Sequence, residues 1–154
     1  MDRALLFLDV DGTLLPIGGG GPMYGDDGNP LLARLNPALG PLLRALPCDL
    51  IWATTWMQEA NDVISPRLGL PALPVVAWSD SATGEDEALH WKTPDLVTFA
   101  AGRPFIWVDD EIAGADRAWV RVHHPGPALL HRVDRLTGVT EADVTAIANW
   151  LREY

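Results

Sequence analysis

The sequence predicts an α/β fold built on a doubly wound parallel sheet, and three observations predict it. Short apolar runs alternate with segments of helical periodicity, as strands alternate with the crossover helices of a parallel sheet. The run Ala4-Leu5-Leu6-Phe7-Leu8 contains no polar residue, the pattern of a strand covered on both faces. Three of the runs end in polar groups: Asp9 and Asp11, Thr54 and Thr55, and Asp109 and Asp110. Ligands of such sheets bind beyond the carboxyl ends of the strands, so the same observation that predicts the architecture locates the site. A three-layer, Rossmann-like arrangement follows.

The chain has 154 residues, enough for one domain spanning residues 1–154, and it shows no internal repeat or long linker. A single cysteine, Cys48, excludes an internal disulfide framework and suits a reducing compartment. Followed by Asp-Leu-Ile-Trp, it reads as a buried structural thiol. The first apolar run is too short for a signal peptide and no run approaches a membrane span, so the expectation is a cytoplasmic protein without a membrane partner. A net charge of −10 opposes bulk attraction to nucleic acid. The charge is unevenly spread, with an acidic stretch from Asp80 to Glu87. Between Arg117 and Arg135 lie four arginines and three histidines against the single acid Asp134. That stretch reads either as a face for an anionic substrate or as solvated surface. Ten arginines stand against one lysine, Lys92, which singles out that residue.

Along the chain, residues 4–8 are the first strand, and the glycine-rich stretch from Gly18 to about Asn29 reads as a loop or loose hairpin. It lacks both the P-loop ending and the dinucleotide glycine spacing. Leu39, Leu42, Leu43 and Leu46 recur at helical spacing, with Asn36-Pro37 as a start and Pro47 as a stop. Residues 49–53 read as a strand, 57–64 as a helix halted by Ser65-Pro66, and 75–78 as a short strand. Residues 93–101 look helical and 105–108 form a buried strand. A short helix over 112–117 then leads to a strand over 119–122. The final helix has Thr140 and Asp143 as a capping box and Val144, Ile147, Trp150 and Leu151 as one apolar stripe.

The chemistry sits at the strand ends. A carboxylate directly after a buried strand is costly unless a cation or donors compensate it. Asp9 follows five apolar residues, and Asp109-Asp110 follows Phe-Ile-Trp-Val. Adjacent carboxylates repel, a divalent cation relieves the repulsion, and an oxygen-only ligand set selects Mg²⁺ over zinc. The pair His123-His124 lacks the spacing of metal ligands and reads as loop or strand surface.

Leu-Phe-Leu-Asp9-Val-Asp11-Gly-Thr-Leu resembles the first motif of the haloacid dehalogenase (HAD) superfamily, most of whose members are phosphatases. Ile-Trp-Ala-Thr54 is similar to the second motif, His-Trp-Lys92-Thr-Pro-Asp to the third, and Trp-Val-Asp109-Asp110 to the fourth, in the right order. The first of these is highly specific and the second and third are weak alone. The resemblance implies a Mg²⁺-dependent phosphomonoester hydrolase with an aspartyl-phosphate intermediate. Asp9 would be the nucleophile, and Asp11 the general acid and base. Thr54 and Thr55 would hold the phosphoryl group, Gly12 would permit the turn beneath it, Thr13 would brace the loop, and Lys92 would neutralise charge. The metal ligands would be Asp9, Asp11 through its backbone carbonyl, Asp109 and Asp110, with Asp110 favoured as direct ligand. Insertions of about twenty residues after Thr13 and about fourteen between Trp78 and Lys92 hold no sizeable cap domain. An open site suits a macromolecular substrate or an oligomeric partner serving as lid.

Two non-enzymatic readings share these residues: a receiver-type phosphoacceptor domain, and a catalytically silent phosphate- or partner-binding module. In receivers the acidic pair follows the first strand, whereas here it comes late. Within the superfamily, Asp11 separates phosphate chemistry from dehalogenation. The compact chain with its Trp-Ala-Thr-Thr-Trp and Trp-Val-Asp-Asp-Glu segments resembles small capless members linked to RNA repair. A nucleotide or polynucleotide end is therefore a candidate substrate, with Trp56 or Trp91 stacking on a base and Arg121 or Arg132 contacting its phosphates. Most of the seven tryptophans are expected in the core.

Overall fold

The computed structural model describes residues 3–18, 23–24, 32–79 and 89–154. The acidic stretch from Asp80 to Glu87 and most of the glycine-rich loop lie outside the described residues. Four parallel strands, β1 (Ala4–Leu8), β2 (Cys48–Trp52), β3 (Phe105–Asp109) and β4 (Ala128–Arg132), form one sheet in the order β2-β1-β3-β4. The helices are α1 (Leu39–Arg44), α2 (Ser65–Leu68), α3 (Thr93–Ala100), α4 (Gly114–His123) and α5 (Glu141–Glu153).

Alternation along β1 assigns the two faces. Ala4, Leu6 and Leu8 pack with Leu39 and Leu43 of α1, Leu68 of α2, and Val144, Ile147 and Leu151 of α5. Leu5 and Phe7 point the other way, toward Leu96 and Ala100 of α3 and Val120 of α4. Every residue of β1 is at most 2% exposed, which is what a run with no polar residue requires and what makes the fold three-layered. Among the described residues there is no cap domain.

Register brings the polar strand ends level. Leu8 pairs with Trp52 on one side and Val108 on the other, so Asp9, Ala53 and Asp109 share the next rung. From β1 the chain crosses first to β2 and later to β3, on opposite sides. The crevice at that change of direction is where doubly wound sheets bind ligands.

Several sequence expectations need correction. Residues 119–122 are helical, not a strand: α4 runs through to His123 and the strand is β4. The burial of Asp116 and Val120, four residues apart, together with the exposure of Val122, is a helical pattern that the short apolar alternation concealed. Ser65-Pro66 does not halt the second helix. A π-helical turn at Ala60–Ile64 runs directly into α2, with Pro66 in its first turn, where no intrahelical N–H is needed. The strand expected at 75–78 is reduced to one bridge between Val75 and Trp52. His124 is not surface: it is 6% exposed and meets Phe105 edge-on, with ring centroids 4.7 Å apart. Of the tryptophans, only Trp52 and Trp107 are fully buried, and the other five are half-buried.

Candidate active site

Asp9 leaves β1 as the sheet ends, and the chain then turns back on itself. The carbonyl of Val10 accepts from the N–H groups of Thr13, Leu14 and Leu15, while Gly12 N–H bonds Leu15 O at 2.8 Å. Gly12 has a φ of 78°, a conformation that side chains disfavour. A β-carbon there would overlap the Asp110 carboxylate, so the glycine both makes the turn and leaves room for the acid beside it. The loop is anchored from outside by Val139 N–H to Thr13 O at 2.7 Å and Ile17 N–H to Arg135 O at 2.7 Å.

Asp9, Asp109 and Asp110 converge: one carboxylate oxygen from each lies within 4.8 Å of the others, and all three residues are buried. Lys92 Nζ donates to Asp9 Oδ1 and to Asp109 Oδ2, both at 2.9 Å. Thr13 Oγ1 donates to Asp9 Oδ2 at 3.1 Å. Burial pushes the Asp9 carboxyl up to about 7; the Lys92 ammonium opposes this and Asp109 adds to it. Burial likewise raises Asp110 to about 6, with Asp109 contributing. Desolvation would by itself lower Lys92, but Asp9 and Asp109 outweigh it and hold the ammonium above its ordinary value. One cation thus faces three buried acids. Asp109 has its oxygens taken by Lys92 and by Glu111 N–H at 3.0 Å, whereas Asp110 Oδ1 has no partner. An orphaned, buried carboxylate oxygen beside a second acid is the donor environment a hard divalent cation fits.

Thr54 is fully buried at the end of β2. Its hydroxyl accepts Trp56 N–H at 3.2 Å, and its carbonyl accepts Trp78 Nε1–H at 3.1 Å and Met57 N–H at 3.3 Å. Thr55 is exposed on the same turn. Asp11 is exposed, and its Oδ2 accepts the indole N–H of Trp56 at 3.1 Å. Trp78 and Trp91 meet edge to face at 4.8 Å, and Lys92 Nζ lies over both rings at 5.9 and 5.7 Å. The sequence-predicted residues Asp9, Asp11, Gly12, Thr54, Thr55, Lys92, Asp109 and Asp110 therefore come from three adjacent strand ends and the turn before α3. Arg132 reaches the edge of this group, its Nε donating to Asp110 O at 3.2 Å. Arg121 does not: it lines a separate cleft with Arg117, His124 and Gly126 on the flank of β4.

Sequence reasoning missed Asp116. This fully buried carboxylate accepts from His90 N–H at 2.8 Å, Thr93 Oγ1–H at 2.8 Å and Ala113 N–H at 2.9 Å. It thereby ties both flanks of Lys92 to the start of α4. The signal was an acid three residues after a helix's N-cap, but Ala113 in place of Ser or Thr hid half of the capping box. A second grouping, His90, Asp109 and Glu111, is sterically close enough to hold an ion. Its tautomer argues otherwise. His90 Nδ1 accepts Lys92 N–H at 3.1 Å, so the neutral ring carries its proton on Nε2, the nitrogen that faces Glu111. Burial, the largest influence on this imidazole, lowers its pKa and keeps the ring neutral.

A parallel α/β sheet with a buried acidic triad and a lysine at its carboxyl end is consistent with a HAD-type hydrolase fold, and the family match decides it. Over residues 5–144 the chain matches the family described as HAD domain in Swiss Army Knife RNA repair proteins, and it belongs to that family. No curated protein and no solved structure matches it. Among the described residues no helix is long and apolar enough to cross a membrane.

Proposed function

We propose that this protein is a Mg²⁺-dependent phosphomonoester hydrolase in which Asp9 carries the phosphoryl group. The observation that carries the reading is the surround of Asp9: a carboxylate at the tip of the central strand, held by Lys92 and Thr13 and facing a buried acid with a free oxygen.

Asp9, Asp110, Asp109 and the Asp11 carbonyl would hold the metal, which when bound supplies positive charge against the phosphoryl oxygens. In the first half-reaction an Asp9 carboxylate oxygen bonds to phosphorus as the bond to the leaving oxygen breaks, and Asp11 gives that oxygen its proton. In the second, Asp11 takes a proton from water as the water oxygen attacks phosphorus, freeing inorganic phosphate and the Asp9 carboxylate. Lys92 offsets part of the effect of burial on Asp9 and stays beside the charge that builds up. The Thr54 hydroxyl would hold a phosphoryl oxygen.

The substrate we propose is the phosphorylated end of a nucleotide or polynucleotide. The family's description supports it, as do the paired aromatic rings of Trp78 and Trp91 beside Lys92, which suit stacking on a base. Arg132, whose Nε donates to Asp110 O at the rim, would meet a flanking phosphate. Hydrolysis of a generic aryl phosphate with Mg²⁺, abolished in Asp9→Asn, tests the reaction. Faster turnover of 3′-phosphorylated oligonucleotides than of mononucleotides, reduced by Arg132→Ala and not by Arg121→Ala, tests the substrate.

A further inference from the structure

Asp11 is the group whose position is hardest to secure. It is exposed on a loop, and among the described residues its carboxylate makes one hydrogen bond, to the Trp56 indole. The proposed chemistry, however, needs that carboxyl within proton-transfer reach of the leaving oxygen, and a freely rotating side chain would spend much of its time elsewhere.

Trp56 is built as a fixed point. Its backbone N–H is held by Thr54 Oγ1 at 3.2 Å, and its half-buried ring packs against the core cluster that includes Leu8 and Ile64. The next residue, Met57, has a φ of 53°, one of only two non-glycine residues among those described with positive φ. Left-handed backbone at a residue with a long side chain is disfavoured and persists only where its surroundings impose it. The strained turn directs the Trp56 indole N–H across the mouth of the site to a residue forty-five positions earlier in the chain.

The geometry points to Trp56 as a positioning residue for Asp11. By occupying Oδ2, the indole N–H fixes the rotamer and leaves Oδ1 as the oxygen that carries the proton. As the bond from phosphorus to the leaving oxygen breaks, Asp11 Oδ1 gives that oxygen its proton and the resulting carboxylate keeps its bond from Trp56. In the second half-reaction Oδ1 recovers a proton from water. The inference rests on the phosphatase reading and assigns to a tryptophan the role of orienting the acid.

The test exploits leaving-group dependence. A poor leaving group needs protonation, whereas dinitrophenolate departs without it, so a residue that orients the acid matters for the first and not for the second. With Mg²⁺ present, kcat/KM is measured for an alkyl phosphate and for 2,4-dinitrophenyl phosphate in wild type, Trp56→Phe, Asp11→Asn and the double variant. Trp56→Phe is expected to lower kcat/KM for the alkyl phosphate about tenfold or more and to change the dinitrophenyl rate by less than about threefold. In the Asp11→Asn background it should cost nothing further. Equal losses on both substrates, no loss on either, or an undiminished loss in the Asp11→Asn background overturns the inference and leaves the phosphatase reading standing. A wild-type protein inactive on both substrates, or activity surviving Asp9→Asn, overturns both. Should Trp56→Phe fail to fold, β-(3-benzothienyl)alanine at position 56 preserves the bicyclic shape, deletes only the N–H, and must show the same selectivity.

Discussion

The carboxylate of Asp116 accepts the hydroxyl hydrogen of Thr93 at 2.8 Å, and through this bond the start of α4 grips the turn that delivers Lys92. Asp116 has no cationic partner in that grip, only three neutral donors. Truncation to alanine would leave the buried Thr93 hydroxyl and the partly buried His90 and Ala113 N–H groups without acceptors, at up to about 1–3 kcal/mol each. Asp116→Ala should therefore lose about 3 kcal/mol or more in urea denaturation. Thr93→Val, which removes one donor, should lose about 1 kcal/mol, yet lower kcat in the folded enzyme because Lys92 is released. Unchanged kcat in folded Thr93→Val would show that Lys92 holds its place without this bond.

Gly12 carries a second prediction. Alanine there meets the left-handed φ of 78° and the Asp110 carboxylate together. The backbone term is about 1–2 kcal/mol, and the steric term moves Asp110. Gly12→Ala is expected to lower Tm by several degrees and to raise the Mg²⁺ concentration needed for half-maximal activity. A change in Tm without a change in Mg²⁺ requirement would mean that Asp110 does not ligate the ion.

How much of this could be read from the sequence depends on distance along the chain. β1, β3 and α5 were legible because their signals are local: the unbroken apolar runs of Ala4–Leu8 and of residues 105–108, and the Thr140–Asp143 cap. The strand-end acids were legible for the same reason, since a charged residue directly after a buried run is itself a signal. α4 was not, because Trp119-Val-Arg-Val122 alternates like a strand and only the packing of Val120 against the sheet decides the matter. The bonds Trp56 to Asp11 and Asp116 to His90 join residues forty-five and twenty-six apart, and nothing in local pattern relates them. Residue types were legible; their partners were not.

Asp143 links α5 to β4. Its Oδ1 lies 2.8 Å from His131 Nε2, and its Oδ2 accepts from the N–H and hydroxyl of Thr140 at 2.7 and 2.9 Å. Partial burial would raise this carboxyl, but the bonds from His131 and Thr140 prevail and hold it below the ordinary carboxylate range. A folded-state pKa below the unfolded value means that the unfolded chain binds the proton more readily. The stabilisation is thus complete above about pH 3.9 and is lost as pH falls through the lowered value. Asp143→Asn should cost about 1 kcal/mol at pH 7, with the gap to wild type closing as the pH drops below about 3.9. A gap independent of pH would place the contribution in packing instead of charge.

The acids of the site titrate in the opposite sense. In the metal-free protein burial holds Asp9 at about 7 and Asp110 at about 6, whereas the unfolded chain loses both protons near the ordinary carboxylate value of about 3.9. Between about pH 4 and 7 the folded state thus binds more protons than the unfolded one, and its stability declines as pH rises through that window. A divalent cation needs the deprotonated carboxylates, so it binds better as pH rises and releases protons as it binds. The Tm of protein in EDTA should fall from pH 5 to pH 8, and the increase produced by Mg²⁺ should be larger at pH 8 than at pH 5. Calorimetric titrations of Mg²⁺ near pH 6.5, repeated in buffers of different ionisation enthalpy, should report net proton release. Asp110→Ala should reduce both the release and the Mg²⁺-induced rise in Tm. A Mg²⁺ effect of equal size at pH 5 and pH 8, retained in Asp110→Ala, would place the ion away from the Asp9–Asp110 cluster.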